Sequence, residues 1–250
     1  MKPYLTVARP LAFAHRGGAS THPENTARAF EHAVNLGYTH LETDVHVTAD
    51  GVAVAFHDHC LDRLTDRTGE ISETKWAEVA MARVAGEHLI CRLDELLASF
   101  PETYFNLDPK HDSAVDPLVD VLKRAGATQR VCVSSFSARR TRQVKQEMGE
   151  LLCTGAGPAE VAGTLARGWH LPTFGQRADV LQVPVGYGRI KVVTKRFIEA
   201  AHRGGQHVHV WTVDKRDEME RLLDLGVDGI MTDEPEVLRD VYRMRGHWPD

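Results

Sequence analysis

Leu11-Ala12-Phe13-Ala14-His15-Arg16-Gly17-Gly18 is a short apolar run that stops on a histidine, an arginine and two glycines. The run reads as a strand over residues 11–13, and the glycine pair breaks it. A histidine and an arginine are thus delivered together at the C-terminal end of a strand. There an imidazole can carry a proton at neutral pH, and a guanidinium can hold an oxyanion through two donors. From this point strand-like and helix-like stretches alternate along the whole chain.

Asn25 or Thr26 caps a first helix that runs to about Leu36, with Ala29, Phe30, Ala33 and Val34 as its apolar stripe, and Gly37 ends it. Residues 40–48 form the second strand, Asp50-Gly51 signals a two-residue hairpin, and residues 52–56 return. Residues 58–92 are less regular, with one short helix near residues 74–79, and read as an insertion over the site. Further strands are expected over residues 104–108, 131–134, 151–154, 179–183, 207–213 and 229–232, with helices between them and after the last. Eight strand–helix units with right-handed crossovers make a parallel sheet. In 250 residues they favour an α/β fold closed as a TIM (β/α)8 barrel. An open doubly wound sheet is the competing arrangement. With no repeat, linker or low-complexity stretch, residues 1–250 read as a single barrel domain carrying the 58–92 insertion.

Composition narrows the function classes. The chain is 42% hydrophobic and 26% charged, enough apolar material for a large core. A net charge of −5 with no basic run speaks against a nucleic-acid partner. No apolar run is long enough for membrane insertion, and Met1 to Pro10 lacks the apolar core of a signal peptide. Cys60, Cys91, Cys132 and Cys153 lie far apart with no C-x-x-C, as expected of reduced thiols in a cytoplasmic protein.

The polar residues at strand ends carry the chemistry, because barrel active sites sit at the C-terminal ends of the strands. Glu42 and Asp44 are two apart, so they share a face at about 7 Å spacing. Two inward carboxylates repel unless a cation or proton lies between them, and an oxygen-only pair suits Mg²⁺, Ca²⁺ or Mn²⁺ better than zinc. A solvated edge strand is the alternative. A two-residue turn at Asp50-Gly51 places Ala49 opposite Val52, His46 opposite Ala55 and Asp44 opposite His57. His57 would then stand beside the carboxylates, with Asp58 placed to orient it. The third strand ends Asn106-Leu107-Asp108-Pro109-Lys110, which offers a third carboxylate and a cation for phosphate, or else a solvated loop. Trp211, at the end of the seventh strand, is either a wall for substrate or a core aromatic. Asp233 reads as a cap for the last helix, and Glu24-Asn25-Thr26 as a capping segment from which Glu24 could reach the site. His59 flanks Asp58 but points away from His57.

These strings, in this order, resemble the glycerophosphodiester phosphodiesterase family. They are His15-Arg16-Gly17, Pro23-Glu24-Asn25-Thr26, Glu42-x-Asp44, Thr48-x-Asp50-Gly51, His57-Asp58 with Arg63 and Thr65, Ser134-Ser135-Phe136-Ser137, Val210-Trp211-Thr212-Val213 and the run from Gly226 to Pro235. The resemblance covers nearly the whole chain. It implies a TIM barrel with a small insertion after the second strand, and one divalent metal (Mg²⁺ or Ca²⁺, with Mn²⁺ possible) on Glu42, Asp44 and Asp108. It also implies hydrolysis of a small-molecule phosphodiester such as glycerophosphocholine to an alcohol and sn-glycerol 3-phosphate. By analogy His15 is the base, His57 the acid, and Arg16 and Lys110 bind phosphate oxygens, while Trp211 contacts substrate. One departure is visible: the family usually has Glu where this chain has Asp108. Either the metal shifts or a water completes its shell. The nucleophile is either the substrate's own glycerol 2-hydroxyl, through a cyclic phosphate, or a metal-bound water. A lysophospholipase D acting on lipids from the same barrel is the runner-up, and would need an apolar channel. A non-catalytic binding barrel is the alternative of a different class. Head-group and oligomeric state are not legible in the residues.

Overall fold

The computed structural model describes residues 2–6, 10–173 and 178–248. Met1 and residues 7–9 of the N-terminal segment lie outside the described residues, as do residues 174–177, 249 and 250. Eight parallel strands follow one another around a barrel: β1 Leu11–Ala14, β2 His40–Val47, β3 Tyr104–Pro109, β4 Val131–Val133, β5 Cys153–Thr154, β6 Val180–Pro184, β7 His207–Trp211 and β8 Gly229–Thr232. The barrel nearly closes; a single parallel bridge, Gly155 to Val180, joins β5 to β6. The expected closed α/β barrel holds, and the open doubly wound sheet does not.

Each strand is followed by its helix: α1 Ala27–Asn35, α2 Leu93–Ser99, α3 Val115–Ala125, α4 Ala138–Met148, α5 Pro158–Gly168, α6 Lys195–Arg203, α7 Arg216–Leu225 and α8 Pro235–Met244. Thr26 caps α1, accepting from the Ala29 N–H, and Thr194 caps α6 in the same way through Phe197. Alternation along the strands sorts the side chains. Leu41, Val45, Phe105, Leu107, Val133, Leu181, Val208 and Ile230 face outward into the layer shared with the helices. Phe13, Cys132, Cys153, Val180 and Met231 belong to a second cluster with Tyr4, which plugs the floor of the barrel. The last helix ties the ends of the chain together, as Tyr242 donates from its hydroxyl to the Leu11 carbonyl (3.0 Å).

The hairpin after β2 departs from expectation. Val45 pairs with Ala55, His46 with Val54 and Val47 with Ala53, so the register is shifted by one. The turn holds three residues, Ala49-Asp50-Gly51, because Gly51 takes the left-handed conformation (φ 85°) and the Thr48 N–H closes on the Val52 carbonyl (3.0 Å). Asp44 therefore lies opposite Phe56, whose N–H it accepts through its backbone carbonyl (3.1 Å), and not opposite His57. Residues 58–92 hold a 3-10 turn, the short helix Trp76–Val79 and a two-stranded ribbon, Arg83–Val84 with His88–Leu89. They bury Leu61, Ile71, Val79, Val84 and Ile90 with Val54 and Phe56 in a cluster of their own.

Candidate active site

Strand β2 carries Glu42 and Asp44 on its inward face, midway along its length. β3 runs beside it with Asp44 paired directly to Asp108. Glu42 and Asp44 are buried and Asp108 is partly so, and cations answer the three carboxylates unequally. Asp44 Oδ1 lies 2.6 Å from Lys110 Nζ, and its Oδ2 lies 3.1 Å from Arg16 Nε and accepts from Asn25 Nδ2 at 3.2 Å. Burial works to raise Asp44, but Lys110 and Arg16 outweigh it and hold the carboxyl below its ordinary value. Lys110 also reaches Asp108 Oδ2 at 2.7 Å, yet burial leaves Asp108 raised. Glu42 Oε2 accepts the Arg16 backbone N–H (3.1 Å) and lies 3.8 Å from His15 Nε2. Burial, then the neighbouring Asp44 charge, push its carboxyl up to about 7.

Arg16 reaches this position through a left-handed backbone (φ 52°), followed by Gly17 and Gly18 at φ 86° and 90°. A Cβ on Gly17 would meet the Ala29 backbone at 2.9 Å, and one on Gly18 would meet Pro235 Cγ at 2.6 Å. Only glycine lets the loop fold down between α1 and α8 here. The Arg16 guanidinium also donates to Glu24 Oε1 (2.9 Å).

The two histidines are each held by a carboxylate. His15 Nδ1 donates to Asp233 Oδ1 at 2.8 Å. Burial lowers the His15 pKa, but Glu42 and Asp233 outweigh that and leave it raised. His57 Nδ1 donates to Asp58 Oδ1 at 2.6 Å, and the His57 carbonyl accepts from His46 Nε2 at 3.1 Å. Asp58 is clamped by Arg63, through Nε (2.6 Å) and Nη2 (2.9 Å), and this holds its carboxyl well below the carboxylate range. Arg63 Nη2 donates onward to Glu24 Oε1 (3.0 Å), so Glu24 joins the Arg16 and Arg63 guanidinium groups. His57 lines one cleft with Lys110 despite the shifted hairpin. The ladder ends at Ala55, so His57 lies beyond it.

Trp211 is half-buried, packs against the floor cluster, and meets Phe136 edge-on with ring centroids 5.9 Å apart. Phe136 is 68% exposed, an aromatic left in the open beside the barrel mouth. A cleft beside the carboxylates is lined by His46, His57, Asp58, His59, Cys60, Asp62, Arg63 and Lys110.

The structure thus brings together His15, Arg16, Glu42, Asp44, Asp108, Lys110 and His57. Asp233 is a correction: it holds His15, and α8 instead starts from Glu234, whose N–H bonds Thr232 Oγ1 (2.9 Å). The signal lay in the strand order. Ala14 pairs with Thr232, so the next residues, His15 and Asp233, leave the barrel side by side. Glu24 is drawn into the site by two arginines, while Thr26 does the capping. Asn25, expected as a helix cap, is instead buried and left-handed (φ 58°) and links Asp44 to Thr43. His59 lines the same cleft as His57.

Glu42, Asp44 and Asp108 supply only oxygen donors, which suits a hard divalent ion. The Lys110 ammonium lies between Asp44 and Asp108, and Glu42 retains an unmet demand for positive charge, so the residues fit a cation. A parallel barrel whose mouth gathers carboxylates, fixed cations and two carboxylate-backed histidines defines a hydrolase-type site for a charged ester. The chain belongs to the glycerophosphoryl diester phosphodiesterase family, whose model matches residues 15–237. It is 37% identical over 247 residues to "Probable glycerophosphodiester phosphodiesterase 2" of Mycobacterium tuberculosis, covering 95% of this chain and 92% of the relative. It is 30% identical to the glycerophosphodiester phosphodiesterase of Caldanaerobacter subterraneus, covering 95% of this chain and all of that one. An Oleispira antarctica phosphodiesterase solved with the product sn-glycerol-3-phosphate superposes with a TM-score of 0.77 at 22% identity, over 94% of this chain and 97% of that one. The protein is a phosphoric diester hydrolase acting on glycerophosphodiesters. Among the described residues, no helix is long and apolar enough to cross a membrane.

Proposed function

We propose that the protein hydrolyses glycerophosphodiesters to an alcohol and sn-glycerol 3-phosphate, with His15 as general base and His57 as general acid. One observation carries the reading: each histidine has its Nδ1 held by its own carboxylate, one beside Glu42 and the other in the cleft that Lys110 also lines. With Nδ1–H donated to Asp233, His15 Nε2 is the basic nitrogen that takes the proton of the attacking hydroxyl. With Nδ1 on Asp58, His57 presents Nε2 to the leaving oxygen and protonates it. Arg63 keeps Asp58 ionised and so keeps the His57 ring in place.

Glu42, Asp44 and Asp108 would hold one divalent cation, Mg²⁺, Ca²⁺ or Mn²⁺, which when bound supplies charge against the negative phosphoryl oxygens. Arg16 and Lys110 bind those oxygens, and Trp211 with Phe136 walls the substrate. The lining of the cleft is charged, which favours a water-soluble diester over the acyl chain that a lysophospholipase D must seat. All four cysteines are free thiols, which supports a cytoplasmic setting. The reading treats residues 1–250 as one barrel domain with the 58–92 insertion forming part of the site wall.

The test is activity of EDTA-treated protein on glycerophosphocholine, glycerophosphoethanolamine and lysophosphatidylcholine, with Mg²⁺, Ca²⁺ or Mn²⁺ restored singly. Metal-restored release of glycerol 3-phosphate from the soluble diesters is expected. Turnover of the lysolipid alone would replace the substrate assignment, and full activity in EDTA would remove the metal from the reading.

A further inference from the structure

We propose that the insertion carries a second metal site, selective for a zinc-class ion, built from His59, Cys60 and Glu70. Their donor atoms all lie within 4.8 Å of one another, and among the described residues no other group of three histidine, cysteine or acidic side chains does so. The backbone beneath them is fixed. Cys60 and Glu70 pair as an antiparallel bridge, the Leu61 N–H donates to the Gly69 carbonyl (3.0 Å), and the Ile71 N–H donates to the His59 carbonyl (3.0 Å). Leu61 and Ile71, the neighbours of Cys60 and Glu70, are anchored in the insertion's own core. The three ligands therefore stand on a platform that need not fold around an ion.

The donor set decides the ion. An imidazole nitrogen, a sulfur and a carboxylate oxygen are what zinc takes in tetrahedral sites, while Mg²⁺ and Ca²⁺ take oxygen. The selectivity is thus opposite to that of Glu42, Asp44 and Asp108. Three protein ligands leave the fourth position to water. Desolvation and the neighbouring Asp62, Glu70, Asp58 and Glu73 charges raise the Cys60 thiol, so the thiolate forms only as the ion arrives, and the same negative charges favour that cation. His59 and Glu70 are exposed, so an ion from solution reaches the group directly. Binding breaks the Cys60 S–H bond, forms a metal–sulfur bond and releases the proton to solvent. His59 and Cys60 line the cleft that holds His57, so the bound ion adds positive charge at the rim of the active site.

Co²⁺ titration of the reduced, metal-free full chain tests this, since only a thiolate ligand gives a sulfur-to-cobalt charge-transfer band. One equivalent of Co²⁺ is expected to produce the band and one equivalent of Zn²⁺ to bleach it. Excess Ca²⁺, which occupies the oxygen site, is expected to leave it intact. Cys60→Ser should abolish the band, and Glu70→Gln should weaken Zn²⁺ at least tenfold in competition with a colorimetric chelator. His59→Ala, at an exposed position, gives the same readout should Cys60→Ser fail to fold. Absence of the band, its survival in Cys60→Ser or His59→Ala, or its displacement by Ca²⁺ would overturn the proposal. The readout needs no turnover, so its outcome is independent of the roles given to His15 and His57.

Discussion

Strand β2 carries two regions of opposite character on one inward face. At the floor, His40 is fully buried, stacked on Tyr104 (4.8 Å, 9° between planes) and edged by Phe13 and Tyr4. At the mouth, two and four residues on, Glu42 and Asp44 sit among Arg16, Lys110 and His15. Burial pushes His40 down to about 3 against an opposing hydrogen bond with the Tyr4 backbone, so it is a neutral packing ring. His15 is buried too, yet Glu42 and Asp233 carry its pKa the other way. Burial lowers both histidines; the partners decide which one can exchange a proton at neutral pH. The floor holds the barrel together, and the mouth concentrates charge that the fold must tolerate.

The sharpest way to break this contrast is to mutate both ends. His15→Ala and His57→Ala are each expected to lower kcat roughly 10²–10⁴-fold with the circular dichroism spectrum unchanged. His40→Phe should leave kcat intact. A comparable loss in His40→Phe would erase the division between floor and mouth.

Removing the carboxylate partners should cost less. Asp233→Asn takes the charge from the hydrogen bond that holds His15, and Arg63→Ala removes the clamp that holds Asp58 against His57; at about 1.5–3 kcal/mol for a hydrogen bond to a charged group, each should lose roughly tenfold to hundredfold in kcat. Because both act by holding a histidine, the pH–rate profile should shift along with the rate; loss of rate with an unmoved profile would speak for a purely structural role.

The smallest effects are on stability, and their signs differ between the two regions. Glu42 ionises near 7 in the folded metal-free protein but near 4.5 when unfolded. Its penalty therefore grows as pH rises from 4.5 to 7 and persists above. Glu42→Gln should raise Tm in EDTA at pH 8 and do little at pH 4. His40 runs the other way: its contribution is complete above 6.5, its unfolded value, and is lost as pH falls toward 3. His40→Phe should flatten the acid limb of the stability curve. Thermal melts across pH 4 to 8 would show both slopes, and equal slopes in the two variants would contradict the assignment.

Much of this was legible in the sequence. The order of strands, the E-x-D pair, the His15-Arg16 delivery and Asp108-Pro109-Lys110 follow from alternation and from where strands stop. What escaped depended on contacts between distant segments or on one-residue details. The hairpin register turned on whether Gly51 closes a two- or three-residue loop, and Asp-Gly permits both. Asp233 reads as an ordinary helix-start acid until β8 is laid beside β1. The ribbon Gly186–Tyr187 with Ile190–Lys191 after β6 is too short to leave a periodic signal. Glu24 showed its part only once Arg16 and Arg63 came within reach of the same oxygen.

The most direct test of the division of labour between the histidines is a change of leaving group. A diester with a p-nitrophenolate leaving group needs little protonation as it departs. If His57 is the acid and His15 the base, His57→Ala should recover most of its lost rate on this substrate, while His15→Ala should remain inactive. Rescue of His15→Ala and not of His57→Ala would contradict the account and exchange the two roles.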